Sequence, residues 1–473
     1  MKSQGASGHA DRGVVSARPL SDRVKYHRAT MTSTLARPAA GQGAGPQLCD
    51  MTATAVSSIE QTLFPSASPS ADFDLAESIL PEKRRGHAEL GVLDITKWFG
   101  ETSGGVRTYL LQKAKYVEAR PSLRHVLVIP GARDSITAGN GVRCYRLRGP
   151  RIPTQRPYRF MLATRAIRRI IEHEQPGVIE VGSPFLVPWI TKRAARRIDV
   201  PLVGFFHSNF PRAICSFPER TRGLRRHAHD AAWRYVRRLN QEFEVTIVAS
   251  RYMVNDLEEH GARRIECVPL GVDLDHFHPR RRADAARTRA ALGLPAETPL
   301  VAFIGRFARE KEVDVLLRAW ETIERQTDAS LVLVGDGPAR RRLLAQTGAS
   351  RIFWLPYEND QERLANFLAA VDLIVSPGSI ETFGLSALEA AASGTAVLSA
   401  DRGGVSEQLA ASGGGAVFLA GDSGSLADEA VRTLRARDDL PRLGALGRAH
   451  AERNHSWSSV FDRIFDIYRR VAA

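Results

Sequence analysis

Along residues 1–88 apolar positions fall without period among Ala, Ser, Gly, Thr and Pro, and aromatic residues are few. Such a segment cannot bury enough surface to offset the entropy of ordering, so it reads as a disordered tail. Met31 and Met51 are each candidate start sites within it. From Leu90 the pattern changes to short apolar runs alternating with longer amphipathic ones, the signature of parallel sheets covered by helices. Strands are predicted at 91–95, 125–129, 178–181, 202–206, 245–249 and 265–268. After a basic, proline-bounded stretch at 275–299, a second series is predicted at 300–304, 331–334, 352–355, 373–376, 396–399 and 416–419. Helices fall between them, including 313–324, 361–369 and 385–392. The fold class is α/β: two doubly wound, Rossmann-like domains over 89–272 and 273–456, facing a central cleft, with the tail of residues 1–88 in front. Ligands of such sheets lie outside the carboxyl ends of the strands, so loops from both domains would line that cleft.

Charge sharpens this division. The net charge of the 473-residue chain is +14, but residues 91–240 carry 28 lysines and arginines against 10 acids, whereas residues 241–473 carry 28 against 33. The first domain is the basic one. Arg212, Arg220, Arg222, Arg225, Arg226, Arg234, Arg237 and Arg238 crowd one segment, with Trp233 and Tyr235 interleaved. A basic amphipathic helix over 212–238 would attract anionic lipid headgroups, each cation adding about 1 kcal/mol near the surface; a solvated arginine-rich helix fits the same composition. High basicity also fits a nucleic-acid-binding protein, but that class leaves the acidic residues described next unexplained. No run approaches the ~18 apolar residues of a membrane span, so any membrane contact would be made from the surface. Cys49, Cys144, Cys215 and Cys267 show neither disulfide nor zinc spacing, which suits a reducing cytoplasm.

Candidate chemistry sits in strand-to-helix turns. Gly104-Gly105 opens the first helix, where bare backbone and free N–H groups suit an anion; a plain tight turn would look the same. Gly305-Arg306 ends the first strand of the second domain, with Lys311 five residues on. These two cations could neutralise a diphosphate as a metal ion otherwise would, although cations at a helix start run against the dipole. Glu381 precedes a helix that carries Glu389 roughly 7 Å along its axis from Gly384, and the amides of Phe383, Gly384 and Leu385 lie between them as anion donors. Small apolar residues surround Glu389, so its carboxylate calls for a partner. His207 ends an apolar strand, where it could contact a reacting sugar or be an inert histidine. Asp273-Leu274-Asp275 superficially matches a metal-binding DxD, but it follows a Pro-Leu-Gly turn between the domains and is not assigned a metal.

Taken in order, Gly104-Gly105, His207, Ser250, Pro269-Leu270-Gly271-Val272-Asp273 with Phe277 and Pro279, Gly305-Arg306 with Lys311, Gly335-Asp336-Gly337-Pro338, the E-x7-E pair Glu381 and Glu389, and Gly403-Gly404 with Glu407 resemble one family. It is the retaining glycosyltransferases of GT-B architecture known as family 4, or glycosyl transferases group 1, and the likeness covers about 90–473. The resemblance implies that Arg306 and Lys311 hold the donor's diphosphate, that Glu381 contacts the transferred sugar and that Glu389 binds the ribose. Phe383, Gly384 and Leu385 would contact sugar and phosphate through their amides, Gly105 would face the diphosphate and His207 the sugar. It further implies that a C-terminal helix at 457–473 returns to the first domain, which binds the acceptor.

The expected activity is metal-independent transfer of a mannose- or glucose-type hexose from a UDP- or GDP-sugar to a lipid or glycan acceptor in cell-envelope synthesis. No cofactor is expected beyond the nucleotide-sugar co-substrate, and no nucleic acid. The expected location is the cytoplasm, peripheral on the inner face of the plasma membrane. A nucleotide-sugar epimerase of the same fold is the nearer alternative. Two departures stand out: Ser406 replaces a customary proline, and Trp354-Leu355-Pro356-Tyr357 replaces a glycine-bearing turn near the base pocket, which leaves the base unassigned.

Overall fold

A computed structural model of the protein describes residues 89–100, 104–153, 158–214, 222–346 and 349–473. The tail predicted over 1–88 lies outside the described residues, as does Arg220 of the basic segment.

The first lobe is built on an eight-stranded sheet of β1 (Leu90–Ile95), β2 (Leu123–Gly131), β3 (Ser135–Ala138), β4 (Val142–Arg148), β5 (Val178–Val181), β6 (Leu202–Phe205), β7 (Val245–Val248) and β8 (Ile265–Cys267), in the order β3-β4-β2-β1-β5-β6-β7-β8. Only the β3–β4 pair is antiparallel. The second lobe carries six parallel strands, β9 (Leu300–Ile304), β10 (Ser330–Val334), β11 (Ile352–Leu355), β12 (Leu373–Ser376), β13 (Ala396–Ala400) and β14 (Gly415–Phe418), in the order β11-β10-β9-β12-β13-β14. All twelve predicted strands are present, most within a residue at each end. The β3–β4 hairpin was not foreseen, because Arg143, Arg146 and Arg148 give β4 the look of a basic loop. Arg143 is tolerated inside because Glu174 pairs with it at 2.5 Å.

Strand order reverses between β1 and β5 in one lobe and between β9 and β12 in the other, so the crevices at these two switch points open the cleft. The helix Trp457–Ala472, N-capped by Ser456, leaves the second lobe and packs on the first. Trp457, Val460, Phe461, Ile464, Phe465 and Tyr468 form its buried face, and the rings of Tyr116 and Phe465 meet at 5.3 Å. Each such side chain contributes about 1.5–3 kcal/mol of burial.

Beneath this helix lies a buried ionic cluster. Lys113, fully buried, reaches Asp94 at 2.9 Å, Glu180 at 3.2 Å and the Tyr468 hydroxyl at 2.8 Å. Tyr109 donates to Glu180 at 3.0 Å, Tyr468 donates to the same carboxylate, and His125 pairs with Asp94 at 2.5 Å. Burial works against ionising Asp94, but Lys113 and His125 together hold its carboxyl well below the usual range; burial, opposed by Lys113 and aided by Asp94, pushes Glu180 up. Lys113 is thus the cation that both carboxyl groups share.

Candidate functional site

The helices Gly105–Glu118 and Leu385–Ala392 begin on opposite walls of the cleft, and a Cβ on Gly105 would stand 3.8 Å from the Leu385 side chain. Neither helix start has a side-chain cap, so both point free N–H groups and positive dipole ends toward the gap. Gly384 caps the second helix at φ +88°, and a Cβ there would meet Val405 at 2.1 Å, so no other residue fits the turn. Phe383 is buried beside it.

Arg306 follows β9, and its guanidinium has no hydrogen-bond or ionic partner among the described residues. The turn that carries it is held from behind: Phe307 donates its N–H to the Asp336 carbonyl at 2.9 Å and accepts from the Ala339 N–H at 2.9 Å. Gly337 leaves room for this, since a Cβ there would come within 2.5 Å of the Phe307 carbonyl. The Gly335-Asp336-Gly337-Pro338 motif therefore shapes the arginine's platform.

Lys311 is not at a helix start. It ends a short 3-10 turn, Arg309–Lys311, ahead of the helix Val313–Gln326, whose first turn carries Asp314. The anticipated conflict with the helix dipole does not arise. Between turn and helix, Glu312 adopts φ +49°, a costly conformation for a non-glycine residue, and Ser379 donates a hydrogen bond to its carboxylate at 2.6 Å. Lys311 itself is ion-paired with Glu381, so two residues expected to meet the donor also meet each other.

Glu389 is 6% exposed, with no hydrogen-bond donor to its carboxylate among the described residues, and burial alone pushes its carboxyl up to about 8. The partner that the sequence called for is not supplied by the described residues. Tyr357 lies near it: burial raises the phenol, Arg107 of the opposite lobe opposes the shift and Glu389 adds to it. Tyr357, in the turn already noted near the base pocket, and Arg107 were not picked out as site residues, because folding within the second lobe brings Tyr357 near Glu389 and only cross-cleft packing brings Arg107 near Tyr357.

His207 stacks on Phe205 at 4.0 Å, with Tyr109 edge-on at 5.5 Å. Burial, reinforced by the Lys113 charge and partly offset by Asp94, pushes the imidazole down to about 3, so it is neutral throughout the physiological range. It lines a small cavity with Trp98, Ser183, Pro184 and Ser208. Trp98 packs edge-on to Tyr158 at 4.8 Å, and the Lys97 ammonium lies 4.3 Å from the Trp98 ring and 4.7 Å from that of Phe185.

Asp273 accepts the His276 N–H at 3.1 Å within its turn. Elsewhere one expectation changes. In the basic segment, Arg212 is bound to buried Asp256, Trp233 is buried against His260 at 3.7 Å, and Tyr235 donates to the Pro184 carbonyl at 2.6 Å. The aromatic face of the helix Arg222–Asn240 thus belongs to the core, while Arg226, Arg234, Arg237 and Arg238 stay exposed. Among the described residues, Asp256, Glu259 and His260 have metal-like spacing, but Asp256 is already engaged by Asn209 and Arg212.

Comparison with known proteins gives the arrangement a family. Residues 103–276 match the model of Glycosyltransferase Family 4 and residues 284–449 that of Glycosyl transferases group 1. The GDP-mannose-dependent alpha-(1-6)-phosphatidylinositol dimannoside mannosyltransferase of Mycobacterium tuberculosis is 30% identical over 361 residues, 74% of this chain and 89% of that protein. The D-inositol 3-phosphate glycosyltransferase of Nocardia farcinica is 36% identical over 248 residues, 48% and 54% of the two chains. In fold, sucrose-phosphate synthase from Thermosynechococcus elongatus superposes with a TM-score of 0.65 at 21% identity, over 81% of this chain and 99% of that one. WaaG, a glycosyltransferase involved in lipopolysaccharide biosynthesis, does so at 0.61 and 16%, over 80% and 99%. The two lobes are those of a GT-B enzyme, and the chain belongs to the group 1 glycosyltransferases.

Proposed function

We propose that this glycosyltransferase moves a hexose, with mannose from GDP-mannose as the leading candidate, to a lipid-linked or glycan acceptor with retention of anomeric configuration. Neither metal nor cofactor takes part. The observation that carries this reading is the company of groups on one cleft that the described residues leave unsatisfied: Arg306 without a partner, buried Glu389 without a donor, and two uncapped helix starts. Together they suit a nucleoside diphosphate, with the diphosphate at Arg306, Lys311 and the helix ends and the ribose hydroxyls donating to Glu389. Glu381 receives the sugar hydroxyls as Lys311 turns from it to phosphate. The names of relatives favour GDP-mannose over other donors and inositol-based acceptors over unrelated ones.

Retention is the stereochemical course this reading assigns to the anomeric carbon. Glu389 is assigned to the ribose and Glu381 to the hydroxyls of the sugar, so neither is given the role of a carboxylate nucleophile in a two-step route. Departure of the diphosphate, stabilised by Arg306 and Lys311, generates positive charge at the sugar; the acceptor hydroxyl enters on the same face and gives its proton to a leaving-group oxygen. Neutral His207 presents a hydrogen-bonding edge to the sugar without adding charge beside the developing cation. The ring faces of Trp98, Tyr158 and Phe185 suit a sugar or inositol ring of the acceptor.

No helix among the described residues is long and apolar enough to cross a membrane. Access to a lipid acceptor at the inner face of the plasma membrane is assigned to the exposed arginines of Arg222–Asn240, acting through charge alone because the helix's aromatics are turned inward. A panel of GDP- and UDP-sugars, scored by thermal shift and then by donor turnover with NMR of the product's anomeric proton, tests the reading. GDP-mannose consumption with an α-linked product is expected; no turnover of any nucleotide sugar, or an inverted product, would overturn it.

A further inference from the structure

Apart from the linker, where His455 bonds to Leu270 and Val272, the hydrogen bonds that join the lobes among the described residues gather around a residue that the functional reading has not used. Thr382, between Glu381 and Phe383, donates its hydroxyl to the backbone carbonyl of His207 at 3.0 Å. Its own carbonyl accepts from Ser250 Oγ at 2.7 Å, and the same Ser250 oxygen caps the helix Arg251–Glu259. Beside it, Glu407 of the second lobe accepts the N–H groups of Arg251 and Tyr252 at 2.9 and 3.0 Å. The carboxylate thereby caps a helix of the other lobe. The Glu381 carbonyl accepts from the Gly404 N–H at 2.7 Å, so the loops around Thr382 and Glu407 form one plate docked on the ends of β6 and β7.

Thr382 therefore bonds directly to the backbone of the histidine assigned to the reacting sugar, while its chain neighbour Glu381 is the group assigned to that sugar's hydroxyls. Across the cleft Ser250 and Glu407 bond to other backbone groups and fasten the plate; among the described residues it is the Thr382 hydroxyl that bonds to His207. From this geometry we infer that Thr382 is a positioning residue, which fixes His207 relative to the sugar-binding loop when the cleft is closed. The inference rests on the glycosyltransfer reading of the cleft and deepens it.

Three consequences separate this role from a merely structural one. Thr382→Val keeps shape and removes the hydroxyl; Thr382→Ser keeps the hydroxyl. With GDP-mannose as the probe, Thr382→Val should lower kcat for donor hydrolysis roughly fivefold, the scale of one neutral hydrogen bond, with KM within about twofold. Thr382→Ser should restore kcat. In 13C-labelled protein without ligand, the His207 ring resonance should shift in the Val variant and return in the Ser variant. Equal kcat in wild type and Thr382→Val, or a His207 resonance indifferent to both substitutions, overturns the inference. A fall in kcat that Ser does not rescue does so as well. A wild-type enzyme that leaves GDP-mannose intact while the resonance responds as expected overturns the donor assignment and leaves the coupling standing.

Discussion

Two buried ionisable side chains, one in each lobe, are treated oppositely. Lys113 sits in the first lobe with every neighbour it needs: Asp94, Glu180 and a tyrosine hydroxyl, all from its own chain. Glu389 in the second lobe is nearly as secluded and receives no hydrogen bond from the described residues. The first arrangement is a fastening, because it draws β1, β5, the first helix and the returning C-terminal helix onto one ammonium. The second leaves a carboxylate that, in the proposed function, takes its donors from a ligand. Burial alone does not mark a binding site; a buried carboxylate on the cleft wall without an internal donor is the candidate for one.

The contrast is broken most severely at Lys113. Lys113→Met would leave Asp94 and Glu180 facing each other without their cation, and should cost about 3–5 kcal/mol, read as a lowered urea midpoint with loss of the tertiary near-UV signal. If the variant unfolds like wild type, the cluster is not a fastening.

Next comes Arg306→Ala, which removes a charge-assisted contact worth about 1.5–3 kcal/mol and should cut turnover ten- to a hundredfold or more while leaving the urea midpoint unchanged. Turnover equal to wild type would remove Arg306 from the site.

Glu389→Gln sharpens the comparison through pH. The folded carboxyl holds its proton to about 8 and the unfolded one only to about 4.5, so the folded state carries an extra proton in between and wild-type stability declines as pH rises through that window. The glutamine variant lacks this decline. Its melting temperature should draw ahead of wild type by a few degrees between pH 5 and pH 9 in the absence of nucleotide; parallel curves would mean that Glu389 is ionised with a partner. Nucleotide binding at neutral pH should also release a proton from Glu389, seen as a buffer-dependent binding enthalpy.

The smallest effect on folding belongs to Arg234→Glu, Arg237→Glu and Arg238→Glu combined, within about 0.5 kcal/mol per site. Flotation with vesicles containing phosphatidylglycerol should nevertheless be lost, and unchanged flotation would place membrane contact elsewhere.

Much of this contrast was legible in residue order, and its limits have physical causes. Strands buried on both faces announce themselves as apolar runs, so both sheets were predicted, whereas β4, whose buried arginine depends on Glu174 some thirty residues away, was not. Glu389 stood out because alanines surround it. Lys113 left a fainter trace: it falls four residues after Tyr109 on the inward face of its helix, an apolar position for a charge. Asp94, Glu180 and Tyr468 share no spacing with it, and neither do Thr382, Ser250 and His207 with one another. Contacts made between distant strand ends are written in topology, which periodicity does not encode.

The most direct test of the central claim is a crystal structure with GDP bound. The account places the diphosphate within hydrogen-bond distance of Arg306 and Lys311, with Lys311 turned from Glu381, and the ribose on Glu389. A nucleotide bound away from these residues, or a diphosphate held only by solvent, would contradict it.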